Sequence, residues 1–213
     1  MQKYYDIIDK RLKGEKVTCK PKEVYNKLGG FSDEEKREIF KKEIEKINQK
    51  EVKQFVTKQL LNFPDYFWFS YQKSDHTDNT VEELGALVSH TKEVFYTVDI
   101  ILETYNPNAT LEDILYTSAL LHDGFIYGKR NEVKDVFEIN NFHPLILRED
   151  IQKREDDLML PSALYKGIMD CIENHLGKNA PTPKLDAKYG KPEYFLYLAD
   201  YLADNGGVWW LKK

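Results

Sequence analysis

Five histidines, His76, His90, His122, His143 and His175, all fall after residue 70 of this 213-residue chain. His90 lies three residues after Leu87 and four before Val94, which places it on the inner stripe of a helix. His175 follows Ile172 by three and Ile168 by seven, on a stripe of the same kind. His122-Asp123 ends an almost wholly apolar segment, and Asp200 sits four residues after Leu196 and three before Ala203. Each has a plain explanation when taken singly. An inward histidine is commonly a hydrogen-bonded core residue, a His-Asp pair arises by chance, and an aspartate among leucines commonly faces solvent. Together they are harder to dismiss, because burying four imidazoles and two carboxylates costs several kcal/mol unless they are paired or hold a metal. Imidazole and carboxylate donors that converge from separate helices inside a bundle suit a divalent transition metal. The two cysteines, Cys19 and Cys171, stand far apart and contribute nothing to such a set, so a structural zinc knot is excluded.

The segments that must position these donors have helical periods almost throughout. Ser32 with Glu35 forms a capping box. Ile39, Phe40, Ile44, Ile47, Val52, Phe55 and Val56 then continue at three-to-four spacing, predicting one long helix or two shorter ones over about 33–61, stopping before Pro64. The lysines and glutamates between them read as a solvated face. Tyr66-Phe67-Trp68-Phe69 reads as a packing hinge rather than a stacking platform for bases. Leu84 through Leu102 predicts the helix that carries His90, and Thr110 with Asp113 is the expected cap of the next, which ends near Gly124. A polar stretch, 128–141, leads to His143-Pro144. Pro161 opens a helix closed by Gly177, and Pro192 opens the last. With no alternating strand pattern, the class is all-α: a core over 71–213 and an N-terminal helical extension over 1–70 that packs on it.

The order His90 … His122-Asp123 … Asp200 resembles the HD-domain superfamily of metal-dependent phosphohydrolases, whose fold is a helical bundle. The context resembles it too. Gly85-Ala86-Leu87-Val88-Ser89-His90-Thr91 is similar to the first-histidine helix, Ala119-Leu120-Leu121-His122-Asp123 to the dipeptide helix, and Tyr197-Leu198-Ala199-Asp200-Tyr201-Leu202-Ala203 to the final aspartate helix. Asn174-His175-Leu176-Gly177-Lys178, followed by a proline loop, resembles the HD domain of bacterial 3′-to-5′ exoribonucleases and their uncharacterised relatives. The resemblance covers roughly 70–205. It implies one ion on His90, His122, Asp123 and Asp200 and a second on Asp123, His143 and His175, with Asp123 bridging and catalytic. It also makes His76 a candidate phosphate contact or proton donor, and Lys178 and Lys129 candidate phosphate contacts.

The implied activity is hydrolysis of a phosphomonoester or phosphodiester, in a nucleotide, a cyclic or dinucleotide or a short nucleic acid, by a metal-activated water. Mn, Fe, Ni, Co and Zn all suit such donors, as one ion or two. Some features depart from the family pattern. Ile126 stands where many members carry a lysine or glutamate three residues after the dipeptide aspartate, and neither a Gly-Tyr-Pro motif nor an OB-fold domain accompanies the core. A di-iron HD-domain oxygenase, and a degenerate HD domain serving as a ligand-binding or interaction module, are therefore carried as alternatives.

Composition bounds the rest. Residues 1–70 hold 16 basic against 12 acidic side chains and residues 71–213 hold 15 against 24, so the donor-bearing part is acidic. Strong nonspecific nucleic-acid binding is not expected of it; a small phosphate-bearing substrate is. No run of 18 apolar residues and no signal-peptide pattern occurs, so a reduced cytoplasmic compartment without membrane contact is expected. Val208-Trp209-Trp210-Leu211 is an apolar strip that could dock on its own body or on a second subunit.

Overall fold

A computed structural model describes residues 2–15, 21–69, 84–133, 139–154, 160–181 and 191–204. Among them are eleven α-helices and no strand. Helices α1 (Gln2–Leu12), α2 (Pro21–Leu28), α3 (Asp33–Ile39), α4 (Lys41–Glu45), α5 (Lys50–Leu61) and α6 (Asp65–Phe69) precede the donor-bearing part. It is built from α7 (Ala86–Tyr105), α8 (Ala109–Leu121), α9 (His143–Lys153), α10 (Ser162–Asn174) and α11 (Pro192–Asp204). Helix α7 packs on α8 and α11, α10 packs on α8 and α11, and α9 lies along α10. None of the described helices is long and apolar enough to cross a membrane. The expected boundary at residue 70 falls in the segment 70–83, outside the described residues.

One apolar cluster joins both parts: Val52, Phe55 and Val56 of α5 share it with Val94, Phe95 and Val98 of α7 and with Leu115, Leu120 and Leu121 of α8. Tyr66, Phe67, Trp68 and Phe69 are fully buried, so the aromatic run is core, as a packing role requires. Each such ring contributes about 1.5–3 kcal/mol by leaving water.

The segment 33–61 differs from the expected one or two helices. The capping box forms, with Glu35 N–H donating to Ser32 Oγ and Ser32 N–H to Glu35 Oε2, but the segment breaks into three helices. The second break is held by Asp113, which is fully buried and accepts from the main-chain N–H of Asn48 at 2.6 Å and of Gln49 at 3.0 Å. Asp113 is thus the anchor of the α5 start rather than part of its own helix cap. That cap is Asn108, whose Oδ1 accepts from Leu111 N–H. Nor is the intervening face wholly solvated, since Lys36 and Glu43 are buried. The reason is local: Lys36 lies over the Trp68 ring, 5.6 Å from its centroid, and Glu43 pairs with Lys92. Helix α9, absent from the sequence expectation, begins at His143 with Pro144 in its first turn and Leu147 and Ile151 buried one turn apart.

Candidate metal centre

Five helices deliver the six donors. His90 comes from the first turns of α7, and His122 caps the C-terminal end of α8 with Asp123 in the turn beyond. His143 opens α9, His175 caps α10, and Asp200 comes from the middle of α11. Two glycines let the turns approach closely. A Cβ at Gly124 would lie 2.1 Å from the Phe63 ring, so the chain can pass beneath that ring right after Asp123 only without a side chain. Gly177 takes φ +58°, which ends α10 two residues after His175 and leaves room for the Tyr197 ring.

The donors meet as two groups: His90, His122 and Asp200, and Asp123, His143 and His175. Asp123 joins them. Its Oδ2 lies 3.4 Å from His122 Nε2 and 3.5 Å from His90 Nε2, whereas its Oδ1 lies 3.1 Å from His143 Nε2 and 3.5 Å from His175 Nε2. Asp200 Oδ1 closes the first group at 3.0 Å from His90 Nε2 and 3.6 Å from His122 Nε2. The four histidines and Asp123 are buried, and the Asp200 side chain is 13% exposed.

Hydrogen-bond logic sets the histidine tautomers. Nδ1 of His122, His143 and His175 lies 2.8, 2.8 and 2.6 Å from the carbonyls of Ala119, Asn140 and Ile172. A carbonyl only accepts, so each Nδ1 carries the proton and each Nε2 turns a lone pair inward. His90 differs, with Nδ1 facing the carboxylate of Asp204 at 3.6 Å. The inward nitrogens then face one another, His122 and His90 at 3.3 Å and His143 and His175 at 3.2 Å. Two lone pairs at the His143–His175 distance repel unless a positive charge lies between them, and beside His122 the charge is a proton on His90 Nε2, which donates to Asp200 Oδ1 at 3.0 Å. The donor set therefore fits cations: two buried His/Asp groups, each able to hold a metal ion and sharing one carboxylate. A helical cage of this kind is compatible with an HD-like fold.

The electrostatics agree. Burial disfavours charge on His90, yet its bond to Asp200 and the carboxylates of Asp204, Asp200 and Asp123 outweigh that and raise it to about 9. Burial likewise opposes the charged form of His122, and Asp123 and Asp200 hold it well above its usual value. Asp123 would be raised by burial alone, but the charge on the His122 imidazole and the ring nitrogens of His122, His143 and His175 that face its oxygens keep it well below the carboxylate range. Without metal, protons supply the positive charge that this constellation demands.

The six expected donors converge, and the other candidates do not join them. Lys178 lies exposed on the short 3-10 turn Gly177–Asn179, and Lys129 pairs with Asp150 at 3.2 Å. Ile126 is buried and apolar, leaving that position without acid or base. His76 and the strip Val208–Leu211 lie outside the described residues. Asp204 was missed by sequence reasoning, although it follows Asp200 by one helical turn and so shares its face. No family model, curated protein or solved structure matches the chain.

Proposed function

We propose that the chain is a metal-dependent phosphohydrolase of the HD-domain kind, cleaving a phosphate ester in a nucleotide or a short phosphodiester. The observation that carries this reading is the division of Asp123, one oxygen toward His90 and His122 and the other toward His143 and His175. Such a carboxylate is suited to bridge two divalent cations. When bound, these would polarise a phosphoryl oxygen, neutralise the leaving oxygen and acidify a water. The first ion would be held by His90, His122, Asp123 and Asp200, the second by Asp123, His143 and His175.

The remaining work falls to the chain itself. The carbonyls of Ala119, Asn140 and Ile172 lock three imidazoles with Nε2 inward, so no reorganisation is needed when cations arrive. His90 differs: its Nδ1 faces the Asp204 carboxylate at 3.6 Å, a charge contact rather than a hydrogen bond. The low exposure of the histidines strengthens every electrostatic contact made there. With Ile126 apolar, that position supplies no general acid, and proton transfer to the leaving group would come from another residue or from water.

The test is a hydrolysis screen of nucleoside mono-, di- and triphosphates, cyclic nucleotides and dinucleotides, using protein loaded separately with Mn, Fe, Ni, Co and Zn. Phosphate or nucleotide release that is lost in Asp123→Ala supports the reading. Metal binding with no turnover across the panel favours the ligand-binding alternative, and substrate-dependent oxygen uptake by the iron form favours the oxygenase.

A further inference from the structure

A cavity of about 460 Å³ opens between α1, α3, α4 and α7, a volume within the range of small-molecule sites. Lys92 and Tyr96, its contributions from α7, follow His90 by two and six residues. At 100° per residue they point to the other side of that helix, so the cavity is separate from the metal centre. Tyr5, Ile8, Leu12 and Ile39 give it apolar and aromatic wall.

Its charged residues do not balance. Glu43 is 1% exposed and meets Lys92 Nζ at 2.6 Å and the Tyr96 hydroxyl at 2.5 Å, both donating to the same oxygen, Oε1. The other oxygen, Oε2, is buried and meets no donor among the described residues. Half of a buried carboxylate without a hydrogen bond is costly, and a ligand carrying N–H groups would remove that cost. Around it, Glu38 pairs with Lys41 and Glu43 with Lys92, which leaves Asp9 and Glu45 against Lys42. One negative charge is in excess. An anionic ligand would add to it, whereas a cation would compensate it.

We propose that this cavity binds a small organic ammonium ligand, a primary amine on an apolar or aromatic body, with its N–H groups donating to Glu43. The body packs against Tyr5, Ile8, Leu12 and Ile39, and Asp9 and Glu45 neutralise the charge at the rim. This does not rest on the phosphohydrolase reading, since no metal ligand lines the cavity.

The test is calorimetric titration of the full chain with benzylamine, with benzyl alcohol and benzoate as neutral and anionic counterparts. Nuclear magnetic resonance mapping with the same three probes locates the binding. Saturable benzylamine binding is expected, with shifts confined to α1, α3, α4 and the Lys92–Tyr96 face of α7. Glu43→Gln keeps an acceptor for Lys92 and Tyr96 but loses the charge, and should weaken benzylamine roughly tenfold to a hundredfold. Asp9→Asn with Glu45→Gln, both exposed, should weaken it a few-fold and serves if Glu43→Gln does not fold. The proposal is overturned if benzylamine shows no saturable binding in the millimolar range or if benzoate binds equally well. Shifts at the metal centre instead, or unchanged binding in the folded variants, would overturn it too.

Discussion

The two sides of α7 carry two buried polar clusters built on opposite logic. On one side, Lys92 and Tyr96 donate and Glu43 accepts, so the chain supplies both signs and all but one oxygen is satisfied. On the other, ring nitrogen meets ring nitrogen in two pairs, His90 with His122 and His143 with His175, and the carboxylates add only more acceptors. The first cluster pairs its charges within the protein and leaves one carboxylate oxygen, Glu43 Oε2, for a ligand to meet. The second needs positive charge, and three of its imidazoles are fixed in orientation from behind by main-chain carbonyls. A single orphaned acceptor suits one N–H donor; a rigid set of facing acceptors suits metal ions.

The largest effect that would break this contrast is expected from Asp123→Ala. It removes the one carboxylate common to both groups, and should abolish metal binding and lower hydrolysis by orders of magnitude. Helical content by circular dichroism should hardly change, because deleting a buried charge among repelling donors does not remove packing. Normal metal content in that variant would contradict the bridging assignment.

Glu43→Ala should do the opposite. It leaves the Lys92 ammonium buried without its counter-charge and should cost about 3–5 kcal/mol of stability in denaturant unfolding. Metal stoichiometry of the folded fraction should remain that of the parent. Replacing both partners together, by Glu43→Leu with Lys92→Met, should recover most of the loss. If the double replacement is as unstable as the single one, the loss does not come from an unpaired Lys92 charge.

Asp204→Ala sharpens the comparison within the candidate metal centre, since Nδ1 of His90 faces a carboxylate at 3.6 Å where the other three imidazoles meet a carbonyl. Metal affinity should fall up to about 10-fold, and Asp204→Asn should fall as far, because what reaches Nδ1 is the carboxylate's charge. Parent-like affinity in Asp204→Asn would show that this charge plays no part.

The smallest effect is in pH. His90 titrates at about 9 in the metal-free protein and must lose its proton to bind an ion, so metal affinity should rise as pH goes from 6 towards 9. Stability of the metal-free chain should move the other way. A group raised from 6.5 in the unfolded chain to about 9 when folded stabilises fully below 6.5, and that contribution is lost as pH climbs through 9. Competition with a chromophoric chelator and urea unfolding, each across this range, measure the two trends. A flat affinity profile would remove the protons from the site.

Much of this was legible in the residues. His90, His175 and Asp200 stand on apolar stripes at three-to-four spacing and weigh toward an inward site only when taken together, and Pro192 and Gly177 mark helix limits that the structure keeps. The failures have physical causes. The breaks in 33–61 depend on Asp113, some 65 residues away, reaching the Asn48 and Gln49 amides, and no local pattern records such a contact. Glu43 looked like surface because its partner Lys92 lies 49 residues on. Helix α9 was hidden by the polar run before it, although Pro144 with Leu147 and Ile151 carried the signal. Asp204, at the end of α11 and 38% exposed, reads as solvent-facing until His90 is placed beside it.

The central claim is that these six side chains hold two divalent cations, and elemental analysis of protein purified without added metal tests it most directly. Near two ions per chain are expected in the parent. Near one is expected in the His143→Ala, His175→Ala double variant, which keeps His90, His122, Asp123 and Asp200 for the first ion. A parent that takes up no divalent metal even when supplied with Mn, Fe, Ni, Co or Zn would contradict the account, as would a double variant that still holds two.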